Sequence, residues 1–180
     1  DFAEGDLGIE GLSVTAPFKI DAAGVAGRLS EEARLSGSVN TLRKIESGWA
    51  GETTDGIAVE KLLGKKLRSF KGVKFALAGA GGLARVYARV VQKSGGDLTI
   101  YARRPEKALA WAGAFGAEVE SWEALARASY DVLINSSPLG AMGVSARWIR
   151  PWMGMCCCRR MMLAPCMRSM SCWRSRWSRS

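Results

Sequence analysis

The chain has 180 residues, enough for one large domain or two small ones. Its formal net charge of +9 suggests a nucleic-acid or membrane partner until that charge is located. Residues 1–146 carry 18 basic and 17 acidic side chains, whereas residues 147–180 carry eight Arg and no acid. The body of the chain is therefore nearly neutral, and no apolar run is long enough to predict a transmembrane helix.

Two residue types narrow the chemistry further. The chain has no His, which excludes a Ser-His-Asp triad, a Cys-His dyad and every His-ligated metal site, and we expect no metal. All five Cys lie beyond residue 146, so the Cys-free body fits a reducing cytosol and we expect a cytoplasmic protein. The opening residues contain no Met and no signal-peptide pattern, which favours a piece of a longer chain.

Short strands and helices alternate in the first third of the chain. Pro17 ends the first predicted strand, and Ser30 followed by two Glu is a helix N-cap pattern. The predicted elements are a strand at 11–16, helices at 19–29 and 30–37, a hairpin of 38–45 and 48–54, and a helix at 55–67.

A stricter alternation begins at Val73. Strands at 73–78, 97–102 and 130–135 are predicted to alternate with helices at 83–95, 104–116 and 121–128. This order indicates a parallel sheet with right-handed crossovers. Residues 147–180 show neither a helical nor a strand period.

The segment "GAGG" at 79–82 follows a predicted strand and opens a predicted helix. Glycines at such a turn let the backbone approach a pyrophosphate, and the helix N-terminus offers unpaired N–H groups. The third Gly of the usual dinucleotide pattern is missing, and the alternative is a simple tight turn. The strand-turn-helix context favours the nucleotide site.

Basic residues follow the second strand of this unit, where an acid would bind the ribose of NAD. Arg103 and Arg104 stand there, with Lys107 one turn later. Arginine matches a 2′-phosphate, so NADP is preferred over NAD. The alternative is a solvated basic helix start, which the helix dipole disfavours.

Lys19 and Asp55 are the candidate chemical pair. A lysine beside a carboxylate in a closed cleft can transfer a proton while the carboxylate orients it. Thr15, Asn40 and Thr54 could hydrogen-bond a polyhydroxylated ligand. Taken singly, the charged residues are more often surface groups and the polar ones more often turn or cap residues.

Six segments in order resemble the shikimate dehydrogenase family. The family pattern runs Asn-Val-Thr-x-Pro-x-Lys, Gly-Ala-x-Asn-Thr, Gly-x-Asn-Thr-Asp-Gly, Gly-Ala-Gly-Gly-x-x-Arg, Asn-Arg-Thr and Asn-x-x-x-x-Gly. The corresponding segments here are "SVTAPFK" (13–19), "GSVNT" (37–41), "GETTDG" (51–56), "GAGGLAR" (79–85), "ARR" (102–104) and "NSSPLG" (135–140). The resemblance covers about residues 9–143.

The resemblance implies a role for each matching residue. Lys19 and Asp55 would be the catalytic pair, with Lys19 handling the proton that accompanies hydride transfer, and Thr15 and Asn40 would bind substrate hydroxyls. The implied cofactor-binding residues are Gly79, Ala80, Gly81, Gly82, Ala84, Arg85, Arg103, Arg104, Lys107, Asn135 and Ser136. The implied reaction is the reversible reduction of 3-dehydroshikimate to shikimate with NADPH, a step of chorismate and aromatic amino acid biosynthesis.

The sequence also departs from the family. Ser13 and Thr53 stand where Asn is usual, and Ala102 and Arg104 replace the Asn and Thr of Asn-Arg-Thr. The family's first strand with its Ser-x-Ser loop, and its last segment, are not recognisable. We interpret residues 147–180 as an out-of-frame translation joined between about Met142 and Trp148. Translating the other reading frames of the gene tests this; the alternative is an Arg/Trp-rich nucleic-acid-binding tail.

These observations predict an α/β protein of two lobes. Residues 1–65 would be the remnant of an N-terminal substrate-binding domain, residues 66–146 an incomplete Rossmann-type NADP domain, and residues 147–180 a disordered tail. We expect a monomer or homodimer that binds a small substrate and neither nucleic acid nor membrane. The alternatives are an NAD-dependent quinate/shikimate dehydrogenase, the C-terminal part of a fused dehydroquinate dehydratase–shikimate dehydrogenase, and an inactive nucleotide-binding fragment.

Overall fold

A computed structural model describes residues 8–138 and a two-residue strand at 162–163. The described elements form two sheets. In the first half of the chain these are β1 (Gly11–Ser13), α1 (Lys19–Val25), β2 (Arg28–Leu29), α2 (Glu31–Ser36), β3 (Thr41–Ile45), β4 (Gly48–Glu52) and α3 (Asp55–Gly64). In the second half they are β5 (Lys74–Ala78), α4 (Gly82–Lys93), β6 (Asp97–Ala102), α5 (Pro105–Ala112), β7 (Glu118–Ser121), β8 (Val132–Asn135) and β9 (Met162–Leu163).

The smaller sheet has the strand order β1-β3-β4-β2. Strands β3 and β4 form the predicted antiparallel hairpin, and β2 pairs with β4 in parallel. The Ser30 hydroxyl accepts a hydrogen bond from the Ala33 N–H, so Ser30 is the predicted N-cap of α2. The predicted helix at 19–29 was too long, because the chain leaves the helix after Val25 and Arg28 joins the sheet.

The larger sheet has the order β7-β6-β5-β8-β9 and is parallel throughout. This confirms the predicted parallel sheet. Strand β7 was not predicted, and the third predicted helix is a 3-10 helix, Trp122–Arg127. Strand β9 was not predicted either, because the sequence beyond residue 146 shows no strand period. The other residues of that tail lie outside the described part of the chain, so its frameshift and domain bounds stay predictions.

The larger sheet buries side chains on both faces. Phe75 and Leu77 pack with α3, α4 and α5 on one face, while Ala76 and Ala78 pack with Leu125 on the other. The strand β5 is therefore almost continuously apolar, as expected for a central parallel strand. Within the described ranges, no helix is both long and apolar enough to cross a membrane.

Helix α4 contributes a long buried surface to this core. Its buried side chains are Ala84, Val86, Tyr87, Ala88, Val90 and Val91. It contacts α2 and α3 on one side and the strands β5 and β6 on the other. The helix that follows the glycine turn is thus packed against both the larger sheet and the helices of the first half of the chain.

Candidate active site

Lys19 and Asp55 meet although 36 positions separate them in the chain. Lys19 is the first residue of α1, Asp55 is the first residue of α3, and the Lys19 Nζ lies 2.6 Å from the Asp55 Oδ2. The side chains are 14% and 24% exposed, so the pair is shielded but reachable. Asp55 in the first turn of α3 is also favoured by the helix dipole. The two candidate residues therefore form one ionic unit.

Asn40 is held beside this pair by Thr54, the neighbour of Asp55. The Asn40 Nδ2 donates to the Thr54 Oγ1 at 2.9 Å, and the Thr54 N–H donates to the Asn40 Oδ1 at 3.1 Å. The Thr41 hydroxyl donates to the same Oδ1 at 2.9 Å. Asn40 is therefore fixed in orientation. Thr15 is exposed in the turn before α1, where its carbonyl accepts from the Phe18 N–H.

The glycine turn between β5 and α4 packs against the exit of β8. Gly79 has a φ of +117°, and a Cβ there would lie 2.8 Å from the Ser136 Oγ. The Ser136 N–H and hydroxyl both donate to the Ala78 carbonyl, at 2.9 and 3.0 Å. The Asn135 Oδ1 accepts from the Ser137 N–H. The structure thus brings the predicted residues of the two neighbouring strand ends together.

Arg103, Arg104 and Lys107 lie at the same edge of the sheet. Strand β6 pairs in parallel with β5, with Tyr101 opposite Ala78, so both strands end at this edge. All three basic side chains are exposed. Parallel sheets bind ligands in the crevice beyond the carboxyl ends of their strands. These cations are therefore available to an anionic ligand placed over the glycine turn.

Three comparisons place this geometry among known proteins. A family model for the shikimate dehydrogenase substrate binding domain matches residues 2–42. A shikimate dehydrogenase (NADP(+)) from Acidiphilium cryptum is 36% identical over 140 residues, which is 76% of this chain and 50% of that protein. The chain belongs to the shikimate dehydrogenase family. It spans about half the length of the curated relatives it matches.

Solved structures agree with the sequence relatives. A chorismate mutase/shikimate 5-dehydrogenase fusion protein from Clostridium acetobutylicum has a TM-score of 0.66 and 33% identity, covering 74% of this chain and 48% of that one. A shikimate 5-dehydrogenase from Thermus thermophilus, solved with NADP(H) and shikimate, has a TM-score of 0.60 and 29% identity. It covers 74% of this chain and 50% of that chain. The predicted family and two-lobed α/β fold with a Rossmann-type sheet are confirmed.

Two predicted cofactor residues point away from the turn. The Arg85 guanidinium lies 5.6 Å from the centre of the Trp111 ring, and a Cβ on Gly37 would be 3.0 Å from its Nη1. Its Nε is buried without a hydrogen-bond partner among the described residues, and burial lowers the pKa of Arg85. Ala84 is fully buried in the core. Only the main-chain N–H of Ala84 could therefore face a phosphate, and the phosphate role of Arg85 stays a prediction.

A cavity of about 170 Å³ lies between α2, β4, α3 and α4 but contains neither Lys19 nor Asp55. Both remaining described ion pairs line it: Arg89 with Glu32 and Lys93 with Glu60, each at 3.2 Å. The Arg89 side chain is 22% exposed and its partner Glu32 is 45% exposed, while Lys93 and Glu60 are 46% and 45% exposed, so we interpret the cavity as a solvated, charged groove between helices. The Lys19–Asp55 pair, which can transfer a proton, is therefore the better candidate for the chemistry.

Tyr87 is a neighbour of the site that the sequence did not reveal. It is buried in the core-facing side of α4. Burial raises the pKa of its phenol, and the negative charge of Asp55 raises it further. Nothing in the apolar repeat of this helix distinguishes Tyr87 from the core residues around it, because its proximity to Asp55 depends on how α3 packs on α4.

The variant Asp55→Asn should lower the pKa of Tyr87. Removing the carboxylate removes a negative charge that opposes phenolate formation. The pKa should stay above its ordinary value of 10.0 because burial is the larger cause. A ¹³C NMR titration of the tyrosine ring carbons measures it. Glu60→Gln, on the same helix, is the control, and an equal change in both variants would contradict the assignment to Asp55.

Proposed function

We propose that this protein catalyses the NADP-dependent, reversible reduction of 3-dehydroshikimate to shikimate. The observation that carries the proposal is the shielded Lys19–Asp55 pair, with a Nζ–Oδ2 distance of 2.6 Å. The relatives supply the substrate: they are named shikimate dehydrogenase (NADP(+)), and the Thermus thermophilus structure holds NADP(H) and shikimate. The reaction belongs to chorismate and aromatic amino acid biosynthesis.

Reduction of a ketone adds a hydride to carbon and a proton to oxygen. Bound NADPH supplies the hydride. The Lys19 ammonium donates the proton to the developing alkoxide, and in the reverse direction the Lys19 amine accepts the hydroxyl proton. Asp55 accepts a hydrogen bond from Nζ and thereby aims the ammonium. No covalent intermediate is required of the protein.

Substrate recognition falls to the polar residues beside the pair. Asn40 is immobilised by Thr54 and Thr41, so its amide presents one orientation to a ligand. Thr15 is exposed at the start of the turn that leads into α1. Fixed amides and hydroxyls suit a polyhydroxylated ring because each can pair with one hydroxyl of defined position. We assign Asn40 and Thr15 to substrate hydroxyls.

The residues present fit a dinucleotide phosphate. A Cβ on Gly81 would meet no atom within 4 Å, so the turn before α4 is open where a ligand would approach. The first-turn N–H groups of α4 have no acceptor within the helix. Gly79, Ala80, Gly81 and Gly82 would hold the pyrophosphate, with Asn135 and Ser136 beside them, and Arg103, Arg104 and Lys107 would hold the 2′-phosphate. The absence of an acid directly after β6 in the sequence favours NADP over NAD.

We place the protein in the cytoplasm because residues 1–146 contain no Cys and the proposed substrate is a small soluble metabolite. A monomer or a homodimer is expected. Neither a nucleic acid nor a membrane is needed by the proposed reaction, and residues 1–146 are nearly neutral overall.

Shikimate oxidation by the purified chain tests the proposed activity. The absorbance of the reduced nicotinamide should rise when the chain is mixed with shikimate and NADP⁺. It should rise more slowly with shikimate and NAD⁺, and it should not rise when quinate replaces shikimate. The variant Lys19→Met should lower kcat by roughly 10²- to 10⁴-fold, because it removes the proton donor and keeps the apolar stem. Lys93→Met, which removes an exposed ion pair, is the matched control.

Absence of turnover with either cofactor, from a chain that binds NADP⁺, would contradict catalysis by this polypeptide and favour the nucleotide-binding fragment. Faster turnover of quinate with NAD⁺ would favour the quinate/shikimate alternative. Equal loss of kcat in Lys19→Met and Lys93→Met would contradict the role given to Lys19.

The double variant Arg103→Ala/Arg104→Ala tests the cofactor preference. Charge-assisted hydrogen bonds to a phosphate are lost only for NADP⁺, so its Kd should rise roughly 10- to 100-fold. The Kd for NAD⁺ should change less than about threefold, since NAD⁺ has no 2′-phosphate. Calorimetric titration measures both constants. Arg127→Ala, also exposed in this lobe, is the control, and equal weakening of both cofactors would overturn the assignment.

A further inference from the structure

The start of α4 touches the start of α1 without an intervening side chain. A Cβ built on Gly82 would lie 3.1 Å from the Lys19 Cβ and 3.1 Å from the Ser38 Oγ. It would also lie 3.5 Å from the Ile20 Cγ1. Contacts of 3.1 Å are shorter than ordinary van der Waals contact between such atoms. The first residue of the helix after the glycine turn therefore borders directly on the lysine of the ionic pair.

The two neighbours of Gly82 have little freedom to move aside. The Lys19 Cβ is next to the main chain, and the Lys19 carbonyl accepts a hydrogen bond from the Val39 N–H at 2.8 Å. Ser38 is fully buried, and its hydroxyl has no hydrogen-bond partner among the described residues. A side chain at position 82 would thus displace the backbone of Lys19, because no flexible side-chain end is there to move aside.

We propose that Gly82 is a positioning residue for Lys19. Its missing side chain lets the α1 and α4 starts approach closely, and this approach sets where the Lys19 ammonium stands relative to Asp55 and to the glycine turn. A displacement of a few tenths of an ångström at the Lys19 Cβ is passed to an ion pair that is only 2.6 Å long. The inference rests on the proposed function for its catalytic meaning, whereas the contact itself does not depend on turnover.

This role differs from the two ordinary reasons for a glycine at this position. The first reason, a positive φ that only glycine adopts easily, does not apply, since Gly82 is helical and is not among the glycines with positive φ. The second reason is that a missing side chain lets the backbone approach a phosphate. It does not explain the missing Cβ of Gly82, because that Cβ would point at Lys19 and Ser38. Helix propensity alone predicts that alanine would be the better residue. The glycine is explained by the contact.

Chemical labelling of Lys19 in the full chain tests the proposal. The rate of Lys19 acetylation by acetic anhydride is read by peptide mass spectrometry, relative to the exposed Lys71 in the same sample. In Gly82→Ala, Lys19 should be displaced from its shielded position and react several-fold faster. Where the chain turns over shikimate, kcat should fall about tenfold, because small misplacements of a reacting group are costly.

Two further variants make the result specific. Gly82→Ala/Ser38→Ala removes one of the two crowded atoms and should return the Lys19 labelling rate toward that of the parent. Gly24→Ala, on the same helix as Lys19, adds a Cβ that meets no atom within 4 Å and should change nothing. Melting curves identify any variant that does not fold.

A folded Gly82→Ala that labels at the parental rate would overturn the proposal, as would an equal increase in Gly24→Ala. If Gly82→Ala does not fold, Gly82→Ala/Ser38→Ala takes its place, because it keeps the contact between the new Cβ and the Lys19 Cβ, and a Lys19 labelling rate no higher than that of the parent would overturn the proposal equally. Absence of turnover in the parent chain contradicts the proposed function alone, because the labelling rate needs no reaction.

Discussion

The packing of helix α4 holds the glycine turn and the ionic pair in one arrangement. Its buried face covers β5 and β6, its flank contacts α2 and α3, and a Cβ on its first residue would lie 3.1 Å from the Lys19 Cβ. Because an α-helix is stiff over three turns, a group at its N-terminus cannot move independently of the core beneath it. The glycine turn and the ionic pair are therefore held at a defined separation although they lie on three different helices and one strand end.

Charge plays a narrower part than packing. The Arg89–Glu32 and Lys93–Glu60 pairs join α4 to the same two helices, but each has at least one partner that is about 45% exposed, and each contributes only about 0–1 kcal/mol. The Lys19–Asp55 pair is more shielded and lies where two helices begin. Shielding keeps the two groups paired and oriented, which is what proton transfer to a bound ketone requires. The Lys19–Asp55 pair therefore suits the proposed chemistry, while the other two pairs line the groove.

The local sequence pattern predicted those elements whose own residues show a burial period or a capping residue. The apolar run of β5, the amphipathic repeat of α4 and the N-cap at Ser30 were all predicted correctly, because burial period and capping are properties of a few neighbouring residues. Strands β2 and β7 were missed for the opposite reason. Arg28–Leu29 is only two residues long and β7 is an exposed edge strand, so each exists by pairing with a distant partner that no local pattern indicates.

The amino-acid sequence alone was enough to establish the family, the order of β5, α4, β6, α5 and β8, and the residue types of the site, since six spaced motifs and the hydrophobic periods lie along the chain. Which of those residues meet became known only from the folded chain. Folding joined Lys19 to Asp55, placed Arg85 over Trp111, and set Gly82 against Lys19. The physical reason is that such contacts depend on how helices pack across long separations in the chain, and packing is settled by volume and shape rather than by spacing.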